Sequence, residues 1–159
     1  DEPIIENCSN VVQDYNIISD WNCQQNYGIE TTVPSVLNPL ISCDNRSENV
    51  GQYTDDGTEA YDAFILNYGS IINLSSHNKL KFKLYSNSSI QVLAKLEGGS
   101  AIEKWSDFSS VNTWQEFSYD FSDSIDNENT TLVLFFNAGQ NNGNPEDIYY
   151  IDELRWEEN

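Results

Sequence analysis

The side chains in this chain that could do chemistry are carboxylates, amides and aromatic rings. It holds 26 Asp and Glu, one histidine (His77) and three cysteines, and aromatic residues make up 13% of its 159 positions. Acyl-transfer chemistry needs a nucleophile beside a base, and His77, in the turn-like LSSHN, reads as an exposed loop residue. Glycoside hydrolysis needs only two carboxylates. No strand-like run sets two or three acids on one sheet face, however: EGGSAIE and DNEN read as loops and DELRWEE as terminal. Recognition of a sugar asks for less. An aromatic face stacks on the C–H groups of a pyranose while amides and charges meet its hydroxyls.

The candidates for such a site follow from strand parity. Trp105 in AIEKWSDF shares a face with Glu103 and Asp107. Trp21 in DWNCQQNYG and Tyr61 in DGTEAYDAF stand at loop or strand-entry positions, where a rigid scaffold presents recognition rings. Lys95, Glu97, Asn137 and Gln140 are the polar candidates, whereas Trp114 and Trp156 lie in or beside regular strands and read as structural. A hard cation such as calcium takes six to eight oxygens. Asp152 in YYIDEL alternates with Tyr150 and Leu154, an odd place for a lone carboxylate, and Asp14 and Asn16 end the first run. A calcium held by Asp14, Asn16 and Asp152 would join the two ends of the chain; the plainer reading is that such acids face water.

The elements that must carry these residues are short. Apolar and polar residues alternate over VVQDYN, IETTVPSVL, VGQYT, YDAFILNYG, KLKFKLYS, IQVLAKLEG, AIEKWSDF, TWQEFSYDF, TLVLFFNAG and DIYYIDELRW, and clusters of Gly, Asn, Asp and Ser separate them. Nothing long reads as a helix. The expectation is an all-β protein, a β-sandwich (jelly roll) of about ten antiparallel strands, forming one domain over residues 1–159. In KLKFKLYS one face is Leu80, Phe82 and Leu84 and the other is lysine. In IQVLAKLEG the face opposite the core set carries Gln91, Lys95 and Glu97, but also the apolar Leu93.

Seven Lys and Arg against 26 acids give a formal net charge of -19. That field repels phosphate polymers and anionic membranes, so nucleic acid is a poor partner, and it disfavours uronate or sulfated polysaccharides. A neutral polysaccharide or oligosaccharide fits better. No run approaches the roughly 20 apolar residues of a membrane span, so no membrane insertion is expected. The start DEPIIENC shows no basic-then-apolar leader, so the chain is expected to be a mature fragment or one module of a longer protein.

Read in succession, VGQYT, GTEAYDAFILNYGSIINLSS, KLKFKLYS, VLAKLEGG, NTWQEFSYDFS, LVLFFNAG and DIYYIDELRW, over about residues 50–156, resemble bacterial carbohydrate-binding modules of the jelly-roll group that includes families four, nine, sixteen and twenty-two. Similar modules are attached to secreted polysaccharide-degrading enzymes or to surface glycan-binding lipoproteins, notably in marine Bacteroidetes. The resemblance implies non-catalytic carbohydrate binding by a monomer fused to further modules, secreted or on the outer-membrane surface. It also implies a structural calcium held by Asp14 or Asn16 with Asp152. Where relatives carry an acid after the first strand's aromatic, this chain has Asn16 after Tyr15. A β-glucan such as laminarin is the expected ligand, and a small jelly-roll glycoside hydrolase or lyase is the alternative.

Three cysteines, Cys8, Cys23 and Cys43, allow one internal bridge, and their spacing fits neither a zinc site nor a redox pair. If the first two strands are antiparallel neighbours, Cys8 and Cys43 lie at the same end and form the feasible bridge.

Overall fold

The computed structural model describes residues 1–140 and 147–159. Ten strands run through them: β1 (Ile17–Ser19), β2 (Ser35–Leu37), β3 (Asn49–Asp55), β4 (Phe64–Asn67), β5 (His77–Tyr85), β6 (Ile90–Glu97), β7 (Ile102–Phe108), β8 (Trp114–Asp120), β9 (Thr131–Phe136) and β10 (Asp147–Glu158). They form two antiparallel sheets. The larger has the order β2-β3-β10-β5-β8, with β1 paired to β10, and the smaller has the order β4-β9-β6-β7. The protein is an all-β sandwich.

Alternation explains the layering. In β5 every second residue is buried, so Leu80, Phe82 and Leu84 meet the other sheet while Lys79, Lys81 and Lys83 stay outside. Phe82 and Phe117 stack at 5.2 Å, and Tyr119 sends its hydroxyl across the core to the Val92 carbonyl at 2.9 Å. Each such ring or Leu removed from water contributes about 1.5–3 kcal/mol before entropy is counted.

The two sheets differ outside. On the larger sheet, Lys81 sits 3.0 Å from Glu157 and 3.4 Å from Glu116, Arg155 reaches both acids, and Lys83 meets Glu153 at 2.8 Å. This mesh of ions satisfies itself. Among the described residues the smaller sheet has no comparable cover, and its outer face carries the rings and amides described below.

The first strand is not residues 11–16. That segment is irregular, and β1 begins at Ile17, where pairing with Arg155 starts. β1 and β2 are also not neighbours: β1 pairs with β10 and β2 with β3. The Cys8–Cys43 expectation falls with that premise. The bridge is Cys8–Cys23, with Cα atoms 5.1 Å apart, and Cys43 is an exposed free thiol. The chain before β1 folds back over the loop after it, where the Asp20 carboxylate accepts from the backbone N–H groups of Asn22, Cys23 and Gln24 at 2.8–2.9 Å. This loop presents Cys23 to Cys8.

Candidate functional site

Ladder register on the smaller sheet places its outward residues in rows. Trp105 on β7 lies opposite Leu93 on β6, and Leu93 lies opposite Phe135 on β9. The next row runs Glu103, Lys95, Val133 and Ile65. On the other side of the central row Asp107 pairs with Gln91, whose backbone carbonyl accepts from the N–H of Asn137 at 2.9 Å. Three strands and the turn after β9 therefore bring two rings, two amides and two carboxylates within neighbouring positions.

Trp105 is 49% exposed in the middle of a regular strand. A large ring there has no packing partner across the sandwich, because its neighbours Lys104 and Ser106 take the inward positions. Leu93, the apolar residue on a polar face, is buried although it points outward, since Trp105 and Phe135 flank it. It forms the floor of the face.

Tyr61 enters from the segment before β4 and is 64% exposed. Its ring stands edge-on to Phe135 at 6.2 Å, and its hydroxyl lies so near Gly139 that a Cβ there would meet it at 3.2 Å. Gly139 has φ +78°, its N–H donates to the Ala60 carbonyl, and Asn137 at φ 62° starts the turn. The turn Asn137–Gln140 thus clasps the Tyr61 segment. Between it and the end of β7 is a cleft of ≈ 350 Å³ lined by Ser89, Gln91, Asp107, Ser109, Asn137 and Gln140. This is in the range of small-ligand sites.

The polar groups of the cleft are positioned by hydrogen bonds. Gln91 Nε2 donates to Asp107 Oδ1 at 3.4 Å, and Gln115 Nε2 donates to the Asp107 carbonyl at 3.0 Å. Lys95 lies 3.8 Å from Glu97, so the one lysine of the outer face is partly neutralised by an acid of its own strand.

Of the seven sugar-site residues expected from the sequence, the fold brings Trp105, Tyr61, Lys95, Glu97, Asn137 and Gln140 to this one side. Trp21 is not among them. It is 7% exposed, its ring packs at 6.5 Å against Phe64 between the sheets, and its indole N–H donates to the Val33 carbonyl at 3.1 Å. The ring also occupies the space over Gly51, where a Cβ would come within 2.5 Å of it. Trp21 does stand in a loop, with left-handed backbone at φ 54°; the side chain nevertheless turns inward. Gln91 and Asp107 are outward by parity, but only the ladder shows that they and Phe135 adjoin Trp105.

The expected calcium ligands do not converge. Asp14 is exposed and its carboxylate accepts from the Asn16 N–H at 2.9 Å, while the Asn16 carbonyl accepts from the N–H of Trp156. Asp152 lies elsewhere along β10, fully buried beneath the loop that carries Asn45, whose Nδ2 donates to it at 2.9 Å. Burial pushes the Asp152 carboxyl up to about 7, against hydrogen bonding from Ser47 and Asn45. Asn16 meets β10 at Trp156, four residues beyond Asp152, so these three residues do not gather round one cation; Asp152 itself keeps one oxygen, Oδ1, buried without a hydrogen-bond partner.

Two carboxyl groups are shifted upward strongly, Asp152 and Asp62, the latter to about 6. Asp152 is in β10 and Asp62 in the loop before β4, and neither lines the Gln91–Asp107 cleft.

No family model matches the sequence, and no curated protein matches it. Solved structures do share the fold. An exo-β-agarase aligns over 90% of this chain and 24% of its own length, with TM-score 0.64 and 11% identity. SGBP-B from a complex xyloglucan utilization locus in Bacteroides uniformis aligns over 91% of this chain and 50% of its own, with TM-score 0.57 and 13% identity. A family 11 carbohydrate-binding module of a cellulosomal cellulase from Clostridium thermocellum aligns over 90% of this chain and 94% of its own, with TM-score 0.56 and 13% identity. What these comparisons establish for this chain is the β-sandwich fold found in carbohydrate-binding modules.

Proposed function

We propose that the chain is a non-catalytic carbohydrate-binding module that holds a neutral glycan on the outer face of the smaller sheet. One observation carries the reading: Trp105 stands half exposed in mid-strand, with Gln91, Asp107 and Asn137 beside it and Tyr61 at the rim. A pyranose lying on the indole would place its hydroxyls among amide and carboxylate acceptors and donors. The net charge of -19 and the acids Glu97, Glu103 and Asp107 on this side favour an uncharged chain over a uronate.

The ligand we propose is a β-glucan such as laminarin, bound by a monomer that targets an attached enzyme or serves surface glycan capture. A secreted or cell-surface location goes with that role, and no helix of the described residues is long and apolar enough to cross a membrane. The likeness to modules of polysaccharide-degrading systems supports the role by fold alone.

Affinity electrophoresis against laminarin, mixed-linkage glucan, xylan, mannan and alginate tests the proposal. Retardation by one of the neutral polymers is expected, without release of reducing sugar. Retardation by alginate alone would defeat the neutral-ligand argument, and polymer turnover would move the chain to the hydrolases or lyases.

A further inference from the structure

We propose that the cleft between Tyr15 and Tyr68 is a second sugar site, one that takes a single residue or a short oligosaccharide of a neutral glycan. It measures ≈ 290 Å³ and is walled by the chain before β1 and by the loop from β4 to β5. That volume suits a small ligand and not a polymer laid along a face. The ligand class rests on the function proposed above, but the place does not. Tyr68 follows Asn67, which pairs with Thr131 at the start of β9, whereas the Asn137–Gln140 turn leaves the far end of that strand. The two sites are thus about 17 Å apart along β9.

Both walls are fixed by hydrogen bonds. Asn26 Nδ2 donates to the Asp14 and Ile17 carbonyls, each at 2.8 Å, and the Tyr27 hydroxyl donates to the Tyr15 carbonyl at 2.9 Å, so the irregular segment that carries Tyr15 is tied down. On the other wall the N–H groups of Tyr68 and Ile72 donate to the Thr130 and Asn129 carbonyls, and Gly69, at φ +70°, makes the turn between them. Trp156, buried in the core, joins the two walls: its backbone N–H donates to the Asn16 carbonyl and its indole N–H to the Tyr68 hydroxyl.

The lining offers the two kinds of surface that a sugar ring presents in return. Tyr15 is 63% exposed and Ile71 56%, and Tyr27 and Tyr68 set their rings 4.6 Å apart, which gives apolar surface for C–H groups. Beside them, polar groups keep bonding capacity among the described residues. The Tyr68 hydroxyl accepts from Trp156 but donates its own hydrogen to no neighbour, and the Asn16 side-chain amide has no partner. Asn73 Oδ1 accepts from the N–H and hydroxyl of Ser75, which leaves its amide N–H groups free to donate. In a chain with 26 acids, no carboxylate, lysine or arginine lines this cleft. His77 is the one basic side chain there, and Ser76 and Glu158 already hold its ring. An ionic ligand would therefore lack a free counter-charge, and a purely apolar one would cover these donors without supplying acceptors. A neutral polyol ring meets both surfaces.

Two sites at opposite ends of one strand do not share a short oligosaccharide. They can hold two chains, or two parts of one chain, of an insoluble glycan, and the second contact then forms at high effective concentration.

Saturation-transfer NMR and isothermal titration with cellobiose, laminaribiose, xylobiose, mannobiose and lactose test it, in the wild-type protein and in Trp105→Ala, which lacks the platform of the other face. At least one disaccharide is expected to bind Trp105→Ala saturably. In that background Tyr15→Ala, at an exposed position, should weaken binding about tenfold. Asn73→Asp keeps the acceptor for Ser75 but loses the amide donors, and should weaken it too; a thermal melt of each variant should stay close to that of Trp105→Ala. If the wild-type protein binds a disaccharide and Trp105→Ala does not, the cleft is overturned and the face stands. If Trp105→Ala binds as the wild-type protein does and Tyr15→Ala abolishes the signal, the cleft stands and the face loses its support. No saturable binding by either protein, or binding by Trp105→Ala that survives both further substitutions, overturns the proposal.

Discussion

Trp105 and Leu93 are direct partners in the β6–β7 ladder, and both point away from the core, yet only the tryptophan is exposed. The pair separates two jobs. Leu93 fills the floor of the face, and Trp105 presents the surface. Truncating the indole removes a stacking platform while leaving both hydrophobic layers of the sandwich in place. Trp105→Ala should therefore weaken glycan binding about tenfold to a hundredfold, the range of 1–3 kcal/mol for an anchoring ring. Its melting temperature should fall by only a few degrees. Titration of the preferred glycan together with a thermal melt checks this, and a large stability loss with unchanged affinity would assign the ring to packing.

Trp21 makes the complementary case. Its ring fills the space over Gly51 and meets Phe64, so Trp21→Ala opens a cavity and strands the Val33 carbonyl. A loss of about 3–5 kcal/mol is expected, read as a lower denaturant midpoint. Residual folded protein should bind glycan normally, because no atom of Trp21 reaches the face.

These two tryptophans show how far the sequence could be read. Alternation identified nine of the ten strands and the outward parity of Trp105, because a half-buried strand writes its two faces into every second residue. Parity does not say which strands are neighbours. Hence the row Trp105, Leu93 and Phe135 became visible only through pairings between β6, β7 and β9. Loops carry no period at all. Trp21, with left-handed backbone, could not be told from a presented ring, and the Cys8 partner could not be chosen once β1 was placed beside the wrong strand. Residues 141–146 of the loop GQNNGNPED lie outside the described residues.

A neutral ligand implies weak dependence on salt. With no cation of the outer face free of an acid among the described residues, few counterions are released on binding. Raising sodium chloride from about 0.05 to about 0.5 M should change Kd for the preferred glucan less than twofold, whereas any binding of alginate should respond strongly. A steep salt dependence for the neutral polymer would show that charge, not stacking, holds it.

The Cys8–Cys23 bridge closes a loop of 15 residues at the edge of β1. In the chain-entropy account, such a loop is worth about 3 kcal/mol. Cys23→Ser or added reductant should lower the unfolding free energy by about that amount, while Cys43→Ser should leave it unchanged. Thiol titration of the native protein should find one reactive group, at Cys43, and two would mean that the bridge is absent.

Asp152 gives stability a pH dependence of unusual sign. Its carboxyl is raised from 3.8 to about 7 by burial, so the folded chain holds a proton that the unfolded chain has already released. Native protein binds more protons between about pH 4 and pH 7, and stability must fall as pH rises through that window. Asp62, raised to about 6, acts in the same direction over the lower part of it. A metal-free melt series should therefore show a higher melting temperature at about pH 5 than at about pH 8. Asp152→Asn keeps an acceptor for the Asn45 amide and carries no charge, so it should flatten most of that slope and stabilise the protein at alkaline pH. Asp152→Ala removes the acceptor as well, leaving the Asn45 donor buried, and should lower the melting temperature at every pH by an amount corresponding to about 1–3 kcal/mol. A slope unchanged in Asp152→Asn would mean that the buried carboxylate is already compensated in the native state.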